Sequence, residues 1–278
     1  MCSLIPTARI PAVHRIVALG DIHGDWAALQ SALRVAKVCD RDGRWTGGNT
    51  HVVQVGDLLD RADRTGAGTD EQSESRIIRY LLALKAQAKR YNGDVHLLLG
   101  NHELMNVYGD FRYVSPLGLK DFQGRRAEQF KPGGNMARTL ACNTNMVLQI
   151  GSWLFSHAGV TIDVTERWTL EQINQQVRDY LLGHGREPSS QVIDTLWHRQ
   201  YSHPRACSAI DRTLKAWKAR NMAIGHTVQD RGINSMCNGS LWKVDVGMSN
   251  AFGRRAVEVL EILDDGAQVN VLKGKVSI

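Results

Sequence analysis

The sequence has no long hydrophobic run, no paired-cysteine motif and no low-complexity segment, and each absence excludes a class of protein. No stretch of about 18 apolar residues occurs, which argues against a transmembrane helix. The start of the chain lacks a basic segment followed by a long apolar run, so we expect no secretory signal peptide. The five cysteines are odd in number and form no C-x-x-C pair. They therefore argue against a disulfide scaffold or a cysteine-rich zinc site, and they favour a reducing, cytoplasmic location.

The composition is that of an ordinary globular protein with a modest basic excess. Hydrophobic residues make up 43% of the 278 residues and charged residues 22%. Lysine and arginine together number 34 against 28 acidic residues, which gives a net charge of +6. Of the basic residues 24 are arginine, whose planar guanidinium suits phosphate and carboxylate groups. The excess fits an anionic substrate or weak binding to nucleic acid, and composition bias alone is the alternative explanation.

The first hundred residues alternate between strand and helix patterns. Short apolar runs predict strands over Val13–Leu19, His51–Val55 and Val95–Leu99, each followed by glycine. Amphipathic patterns predict helices over Trp26–Val38 and Asp70–Tyr91, the first with Asp25 as its N-cap. Polar residues lie just beyond each strand, where open α/β sheets bind their ligands.

The remainder of the chain interrupts this alternation and then returns to strands. Residues 104–141 are rich in aromatic, basic and glycine residues and predict a small helical insertion near the site. Further helices are predicted over Thr165–Leu182, Gln191–Tyr201 and Asp211–Arg220. Because no repeat or linker appears, we expect residues 1–278 to form a single domain.

Side chains that can bind metals occur beside glycines at five predicted strand ends. The motifs are Gly20-Asp21-Ile22-His23-Gly24, Gly56-Asp57-Leu58-Leu59-Asp60-Arg61, Gly100-Asn101-His102-Glu103, Ser156-His157-Ala158-Gly159 and Gly225-His226-Thr227. Any one of them alone is typical of a turn, a helix cap or a hydrogen-bonded histidine. Together they supply oxygen and nitrogen donors that suit divalent manganese, iron or zinc, and the Asp57 carboxylate could bridge two ions.

These motifs resemble those of the metallophosphoesterases of the phosphoprotein phosphatase superfamily, which have the calcineurin-like fold. A closer resemblance is to the bacterial-type branch called Shewanella-like phosphatases. It depends on residues 100–106, 109–114, 196–199, 225–229 and 244–249. The resemblance implies an α/β fold, an αββα sandwich of two mixed sheets flanked by helices. Ala62 departs from the family pattern, which usually has glycine there, and this departure bears on the loop Asp63–Asp70.

The same resemblance assigns a role to each motif residue. One metal ion would be held by Asp21, His23 and Asp57. The other would be held by four side chains, namely Asp57, Asn101, His157 and His226. The general acid would be His102, oriented by Asp60.

Three further residues would contact the substrate phosphate, namely Arg61, Arg199 and Asn101. Arg199 is expected to point toward the metals from a helix that includes Leu196-Trp197-His198. The implied cofactors are two divalent ions, with Mn²⁺ favoured and iron or zinc as alternatives.

The implied function is a dinuclear-metal phosphatase that hydrolyses phosphomonoesters through attack by a metal-bridging hydroxide. Its substrates would be phosphoproteins, modified on Ser/Thr or on Tyr, or small phosphoesters. The alternative is a nucleotide hydrolase of the same fold that cleaves dinucleoside polyphosphates or mRNA caps. Such an enzyme would stack a base on a rim aromatic such as Tyr108, Phe111 or Tyr113. A catalytically silent scaffold would lack a ligand or His102, and none is missing.

The basic part of the insertion, Asp110–Arg138, has two interpretations. It could recognise acidic or phosphorylated partners or RNA, or it could be an ordinary solvated helical face. The sequence does not distinguish phosphoserine or phosphothreonine from phosphotyrosine, and it does not specify the native metal or the oligomeric state.

Overall fold

The chain forms two six-stranded mixed sheets with helices around them. The computed structural model describes Cys2 and residues 5–62, 70–253 and 256–275; most of the loop expected after Ala62 lies outside them. The strands are β1 (Arg9–Ile10), β2 (Arg15–Leu19), β3 (His51–Gln54), β4 (Asp94–Leu98), β5 (Thr144–Asn145), β6 (Val147–Ile150), β7 (Trp153–Ser156), β8 (Asn221–Ile224), β9 (Asn234–Met236), β10 (Leu241–Lys243), β11 (Val257–Leu263) and β12 (Gln268–Gly274). The helices are α1 (Trp26–Val35), α2 (Glu74–Ala88), α3 (Asn101–Val107), α4 (Arg126–Phe130), α5 (Asn135–Asn143), α6 (Ile162–Thr165), α7 (Leu170–Leu182), α8 (Ser190–Asp194) and α9 (Cys207–Ala216).

The two sheets differ in how their strands are ordered. Sheet I has the order β12-β11-β2-β3-β4-β5, and its strands β2 to β5 are parallel. Sheet II has the order β1-β6-β7-β8-β10-β9, in which β7, β8 and β10 are parallel. The predicted β-α-β-α-β pattern is therefore confirmed as the centre of sheet I, and the αββα class is confirmed as well. In each sheet the parallel strands bring several carboxyl ends to one edge.

Helix α1 shows how local sequence builds the outer layer of sheet I. The Asp25 carboxylate accepts a hydrogen bond of 2.8 Å from the Ala28 backbone N–H, as an N-cap should. Leu29 and Leu33 lie four residues apart on one helix face and are fully buried. Helix α2 lies against β4 in the same layer, whereas α7 packs on β6 of sheet II.

The predicted insertion is helical only in part, and two later helices are shorter than predicted. Helices α3, α4 and α5 account for 21 of the 43 residues of 101–143, and mainly turns separate α3 from α4. The helix predicted from Thr165 begins at Leu170, because the Thr169 side chain caps it by accepting from the Gln172 N–H. The helix predicted over Gln191–Tyr201 ends at Asp194. Arg199 therefore lies in a turn beyond α8, and its predicted placement on a helix was wrong.

The cysteines are paired, which corrects the prediction from their spacing. Disulfides join Cys2 to Cys142 and Cys207 to Cys237, and Cys39 is free and buried. The partners are 140 and 30 residues apart in sequence, so only the tertiary fold brings them together. The cytoplasmic location stays a prediction, now without support from unpaired cysteines. No helix among the described residues is both long and apolar enough to cross a membrane.

Candidate metal centre

A cavity of about 790 Å³ lies where the carboxyl ends of strands from both sheets meet. Asp21, Asp57 and Asn101 follow β2, β3 and β4 of sheet I. His157 and His226 follow β7 and β8 of sheet II. Of the ten residues predicted from the sequence, seven line this cavity: Asp21, His23, Asp57, Asn101, His102, Arg199 and His226. The fold therefore joins motifs that are up to about two hundred residues apart along the chain.

Asp57 lies at the centre of the site and is shared by two groups of metal-binding side chains. One group is His23, Asp57 and His102, and the other is Asp57, His157 and His226. The Asp57 Oδ2 atom is 3.6 Å from His23 Nε2 and 3.4 Å from His157 Nε2. Within each group the ligand atoms lie within 4.8 Å of one another. One carboxylate thus faces two clusters of nitrogen donors, as a bridging ligand must.

The other two predicted ligands are also in place. Asp21 Oδ2 lies 4.0 Å from His23 Nε2, on the first side of Asp57. Asn101 Oδ1 lies 2.9 Å from His157 Nε2, on the second side. The structure therefore brings together both predicted sets of donors, and the assignment of each to a particular ion stays a prediction.

Backbone carbonyl groups fix which nitrogen of each imidazole faces the cavity. His23 Nδ1 and His157 Nδ1 each lie 3.0 Å from a carbonyl oxygen, those of Leu59 and Val55. His226 uses its other nitrogen, Nε2, which lies 3.0 Å from the Trp197 carbonyl oxygen. Because a carbonyl only accepts, the nitrogen facing it carries the proton, and the opposite nitrogen is the one that can donate its lone pair to a metal.

The backbone is strained at four of the motif residues. The φ angles of His23, Asp57, Asp60 and His226 are 44°, 55°, 70° and 65°, in the left-handed region that side chains rarely adopt. Such strain persists only where the surrounding structure compensates for it, and it is typical of functional sites. All four residues lie in segments that follow strands of the two sheets.

The motif glycines are needed because other groups lie against them. A Cβ atom on Gly100 would lie 2.1 Å from Asp57 Oδ1, and one on Gly225 would lie 2.4 Å from Asp21 Oδ1. Both distances are far below any van der Waals contact. These glycines therefore let the carboxylates of the site approach neighbouring strand ends.

Three buried carboxylates make the cavity strongly negative. Burial and the carboxylates of Asp245 and Asp57 raise the pKa of Asp21 well above its usual value. Burial and Asp57 also raise the pKa of Asp245 to about 6. Burial alone would raise the pKa of Asp57, but the imidazoles of His157 and His102 lower it well below its usual value. Carboxylates crowded in this way, with imidazole nitrogens beside them, fit divalent cations as the groups that would balance their charge.

His102, which belongs to the first group, is held by Asp60. Its Nδ1 atom is 2.6 Å from Asp60 Oδ2, while its Nε2 atom is 3.9 Å from Asp57 Oδ2. The first contact places a proton on Nδ1 if Asp60 is ionised, which leaves Nε2 directed toward the cavity. The geometry suits the predicted acid, and its catalytic role stays a prediction.

The residues that hold Asp60 were not predicted from the sequence. Arg126 is buried and donates to Asp60 Oδ1 at 3.1 Å and to Asn106 Oδ1 at 2.6 Å. It also pairs with Glu74 at 2.6 Å, while Asn106 donates to Asp60 Oδ1 at 2.8 Å. Asn106 could have been found, because it lies four residues after His102 on α3. Nothing local distinguishes Arg126 from its neighbours, and the surface interpretation of the basic segment was wrong for this residue.

Glu103 holds the loop that carries Asp57. Its carboxylate accepts hydrogen bonds of 2.7–3.2 Å from the backbone N–H groups of Gly100, Asp57, Leu58 and Leu59. Burial and the Asp57 carboxylate raise its pKa to about 7. Its place three residues after Gly100, at the start of a helix, is the pattern of a capping box.

The two predicted phosphate-binding arginines have different environments. Arg61 is buried, donates to Ser249 Oγ at 2.7 Å and lies 3.2 Å from Asp25, so its guanidinium does not line the cavity. Its Nε and Nη2 atoms have no hydrogen-bond partner among the described residues, and its predicted contact with phosphate stays a prediction. Arg112, which had been assigned only to the basic segment, lines the cavity and pairs with Asp110 at 2.6 Å. Arg199 also lines it and donates to the His226 carbonyl and to Thr227 Oγ1, both at 3.2 Å.

We expect Arg199→Ala to raise KM and to lower kcat. An exposed guanidinium at the cavity wall would bind phosphate in both the ground state and the transition state. Lysine at this position should restore only part of the activity, because it lacks the planar fork. Steady-state kinetics and inhibition by inorganic phosphate measure the effect, with Arg212→Ala on α9 as the control. Unchanged kinetics and unchanged phosphate inhibition would assign Arg199 a structural role only.

The fold and the site together define a metal-dependent phosphoester hydrolase. The chain belongs to the calcineurin-like phosphoesterase family, whose sequence profile matches residues 14–262.

Individual relatives make the likeness more specific. The chain is 32% identical to Shewanella-like protein phosphatase 2 of Arabidopsis thaliana, over 92% of this chain and 77% of that protein. It is 28% identical to Shewanella-like protein phosphatase 1 of Plasmodium berghei, over 84% of this chain and 67% of that protein. Among solved structures, the cold-active protein-tyrosine phosphatase of a psychrophilic Shewanella species has the same fold, with a TM-score of 0.78 at 22% identity. That match covers 97% of this chain and 83% of the other.

Proposed function

We propose that this phosphatase hydrolyses phosphomonoesters on proteins, modified on Ser/Thr or on Tyr, at a centre of two divalent metal ions. The observation that carries the proposal is the position of Asp57. Its carboxylate belongs to both groups of metal-binding side chains, one on each side. A single-ion site would need only one such group.

Some residues of the site would bind metal or phosphate, and another would supply a proton. Two divalent ions, when bound, lower the pKa of water and neutralise charge on the phosphoryl oxygens. Asp21, His23 and Asp57 would hold one of them, and Asp57, Asn101, His157 and His226 the other. Arg199 and Arg112, on the cavity wall, are positioned to bind phosphoryl oxygens, which a guanidinium does with two parallel hydrogen bonds.

His102 would supply the proton that the leaving oxygen needs. Asp60 accepts from Nδ1, and Arg126 and Asn106 hold Asp60 in turn. This chain of contacts directs Nε2 toward the cavity, where a protonated imidazole would donate to the departing alkoxide.

The choice of phosphoprotein substrates is supported by the relatives. Two of them are named as protein phosphatases, and their likeness covers most of this chain. The nucleotide hydrolase remains the second candidate, because Tyr113 lines the cavity and is 40% exposed. Tyr108 and Phe111 do not line it, and Tyr108 packs against Tyr180 instead.

Removal of metal is expected to abolish hydrolysis of an aryl phosphate, and Mn²⁺ is expected to restore it most fully. The carboxylates of Asp21, Asp57 and Asp245 are buried together, and divalent cations would balance their charge. Activity is measured after chelation and after addition of Mn²⁺, Fe²⁺ or Zn²⁺, with the bound metal counted by mass spectrometry. Full activity in a preparation verified as metal-free would refute the proposal, and a stoichiometry of one ion per active chain would refute its dinuclear part.

The substrate class needs a separate comparison. We expect phosphopeptides to be cleaved with a higher kcat/KM than diadenosine tetraphosphate or capped RNA. The reverse order would favour the nucleotide hydrolase.

A further inference from the structure

A second cleft, rich in arginine, lies on the outer surface of sheet I between α1 and α2. We call it the arginine groove, and its volume is about 640 Å³. Its lining comes from α1, from the turn after Asp40 and from α2. The lining residues are Trp26, Gln30, Arg34, Arg41, Asp42, Gly43, Arg76, Arg79 and Tyr80.

The groove arginines form no ion pairs among the described residues, although the Glu71 carboxylate lies at one end of the groove, where it accepts from the Trp26 backbone N–H at 2.9 Å. Within residues 5–62, 70–253 and 256–275, no carboxylate lies within 4.0 Å of a guanidinium nitrogen of the four groove arginines. The one acidic residue of the lining, Asp42, lies 4.0 Å from Arg44, which is outside the groove. Four permanent positive charges therefore face solvent together in one concave surface.

Aromatic side chains hold part of this surface in place. The Arg76 guanidinium lies 3.8 Å from the centre of the Trp26 ring, which restricts its position. The Tyr80 ring packs edge-on against Trp26 at 5.0 Å, and its hydroxyl donates to the Gly43 carbonyl at 3.0 Å. The groove is therefore a formed surface rather than a set of independent side chains.

Gln30 provides a second and independent indication of a ligand. Its side chain lies in the groove lining yet is only 7% exposed. Its Nε2 atom is buried and meets no partner at hydrogen-bond geometry in the part of the chain that the structure describes, although the Tyr80 side chain lies near enough to interact with it. A buried amide donor without an acceptor is costly, so an acceptor from a bound ligand would satisfy it.

The length of the groove favours an extended ligand. The α1 side runs from Trp26 to Arg34, and eight residues of helix span about 12 Å. That length matches about three to four residues of an extended peptide. A single small anion would leave most of the arginines without a partner.

The groove also begins close to the metal centre along the chain. Trp26 is three residues after His23, so their Cα atoms are at most about 11 Å apart. One peptide could thus reach both places.

We propose that the arginine groove binds an acidic segment of the protein substrate, next to the phosphorylated residue that enters the metal centre. This inference rests on the proposed protein-phosphatase function. Carboxylates of the segment would pair with the arginines, and a carbonyl or carboxylate oxygen would accept from Gln30. The groove would then select phosphorylation sites that have acidic residues nearby.

The binding test needs no catalysis. A fluorescein-labelled, unphosphorylated Glu-rich peptide is titrated by fluorescence anisotropy, with its Gln-rich counterpart as the neutral comparison. We expect the double substitution Arg76→Glu and Arg79→Glu to weaken binding at least tenfold. The control pair Arg90→Glu and Arg186→Glu changes the net charge equally on exposed residues outside the groove, and it should change binding less than twofold. Thermal melts establish that all variants are folded.

The kinetic test connects the groove to the substrate. We expect the groove variant to lower kcat/KM at least tenfold for a phosphopeptide with flanking glutamates, with no change for a small aryl phosphate. The proposed role of the arginine groove would be overturned if the Glu-rich peptide failed to bind the wild type. It would also be overturned if both double variants weakened peptide binding equally. Displacement by inorganic phosphate or by a single-stranded oligonucleotide more readily than by the peptide would overturn it as well. If the peptide binds as expected and no phosphopeptide is cleaved, the proposed protein-phosphatase function is refuted, whereas the binding of an acidic peptide by the arginine groove is supported.

Discussion

Asp57→Asn is expected to lower kcat for every phosphoester substrate by about a thousandfold or more. The substitution keeps the size of the side chain but removes the charge that faces both groups of ligands. Each ion would lose affinity, and the loss of charge-stabilising groups at a transition state costs about 10² to 10³ in rate for a single contact. Metal content measured beside kcat should fall for both ions together.

The matched control for this variant is Asp211→Asn, which removes an exposed carboxylate from α9. It should leave activity and metal content unchanged, because Asp211 contacts only Lys215 among the described residues. Folding of both variants is checked by thermal melts. Retention of two ions and near-normal turnover by Asp57→Asn would show that Asp57 is not a bridging ligand.

His102→Asn is expected to lower turnover of alkyl phosphates by about 10² to 10⁴, the range for loss of a general acid. Nitrophenyl phosphate should be affected much less, because its leaving group departs readily without a proton. Metal content should stay near the wild-type value, since His102 is predicted to lie beside the ions without binding them.

The contrast between the two substrates separates a proton donor from a ligand. An equal loss on both substrates, or a loss of metal, would make His102 a ligand or a structural residue instead. Asp60→Asn should reproduce part of the same contrast, because it weakens the contact that orients the imidazole. Arg212→Ala again serves as a control for general destabilisation.

The clustering of the candidate ligands could be predicted because each motif is local. Asp21, Asp57 and Asn101 each follow an apolar run that forms a strand of sheet I, and glycine precedes each of them. Parallel strands then place their carboxyl ends together, so short motifs were enough. The same reasoning extended to His157 and His226 in sheet II.

The residues that support the site could not be predicted in the same way. Arg126 is 66 positions from Asp60 and reaches it from a helix of five residues with no special pattern. The disulfides were missed for the same reason, since tertiary packing alone pairs Cys2 with Cys142. For Arg61 the motif alone does not show that the buried guanidinium lies against Asp25 and Ser249, because those contacts come from distant parts of the chain.

The division of the ligands between the two sheets has a consequence for the lifetime of the protein. Asp21, Asp57 and Asn101 follow strands of sheet I, whereas His157 and His226 follow strands of sheet II. The complete set therefore exists only while the sheets are stacked, and ions that bind only the folded chain oppose their separation. At a hundredfold excess over its dissociation constant, such an ion adds about 2.7 kcal/mol to the free energy of unfolding. The supply of divalent metal would then govern how much of this enzyme escapes proteolysis, in addition to how fast each molecule turns over.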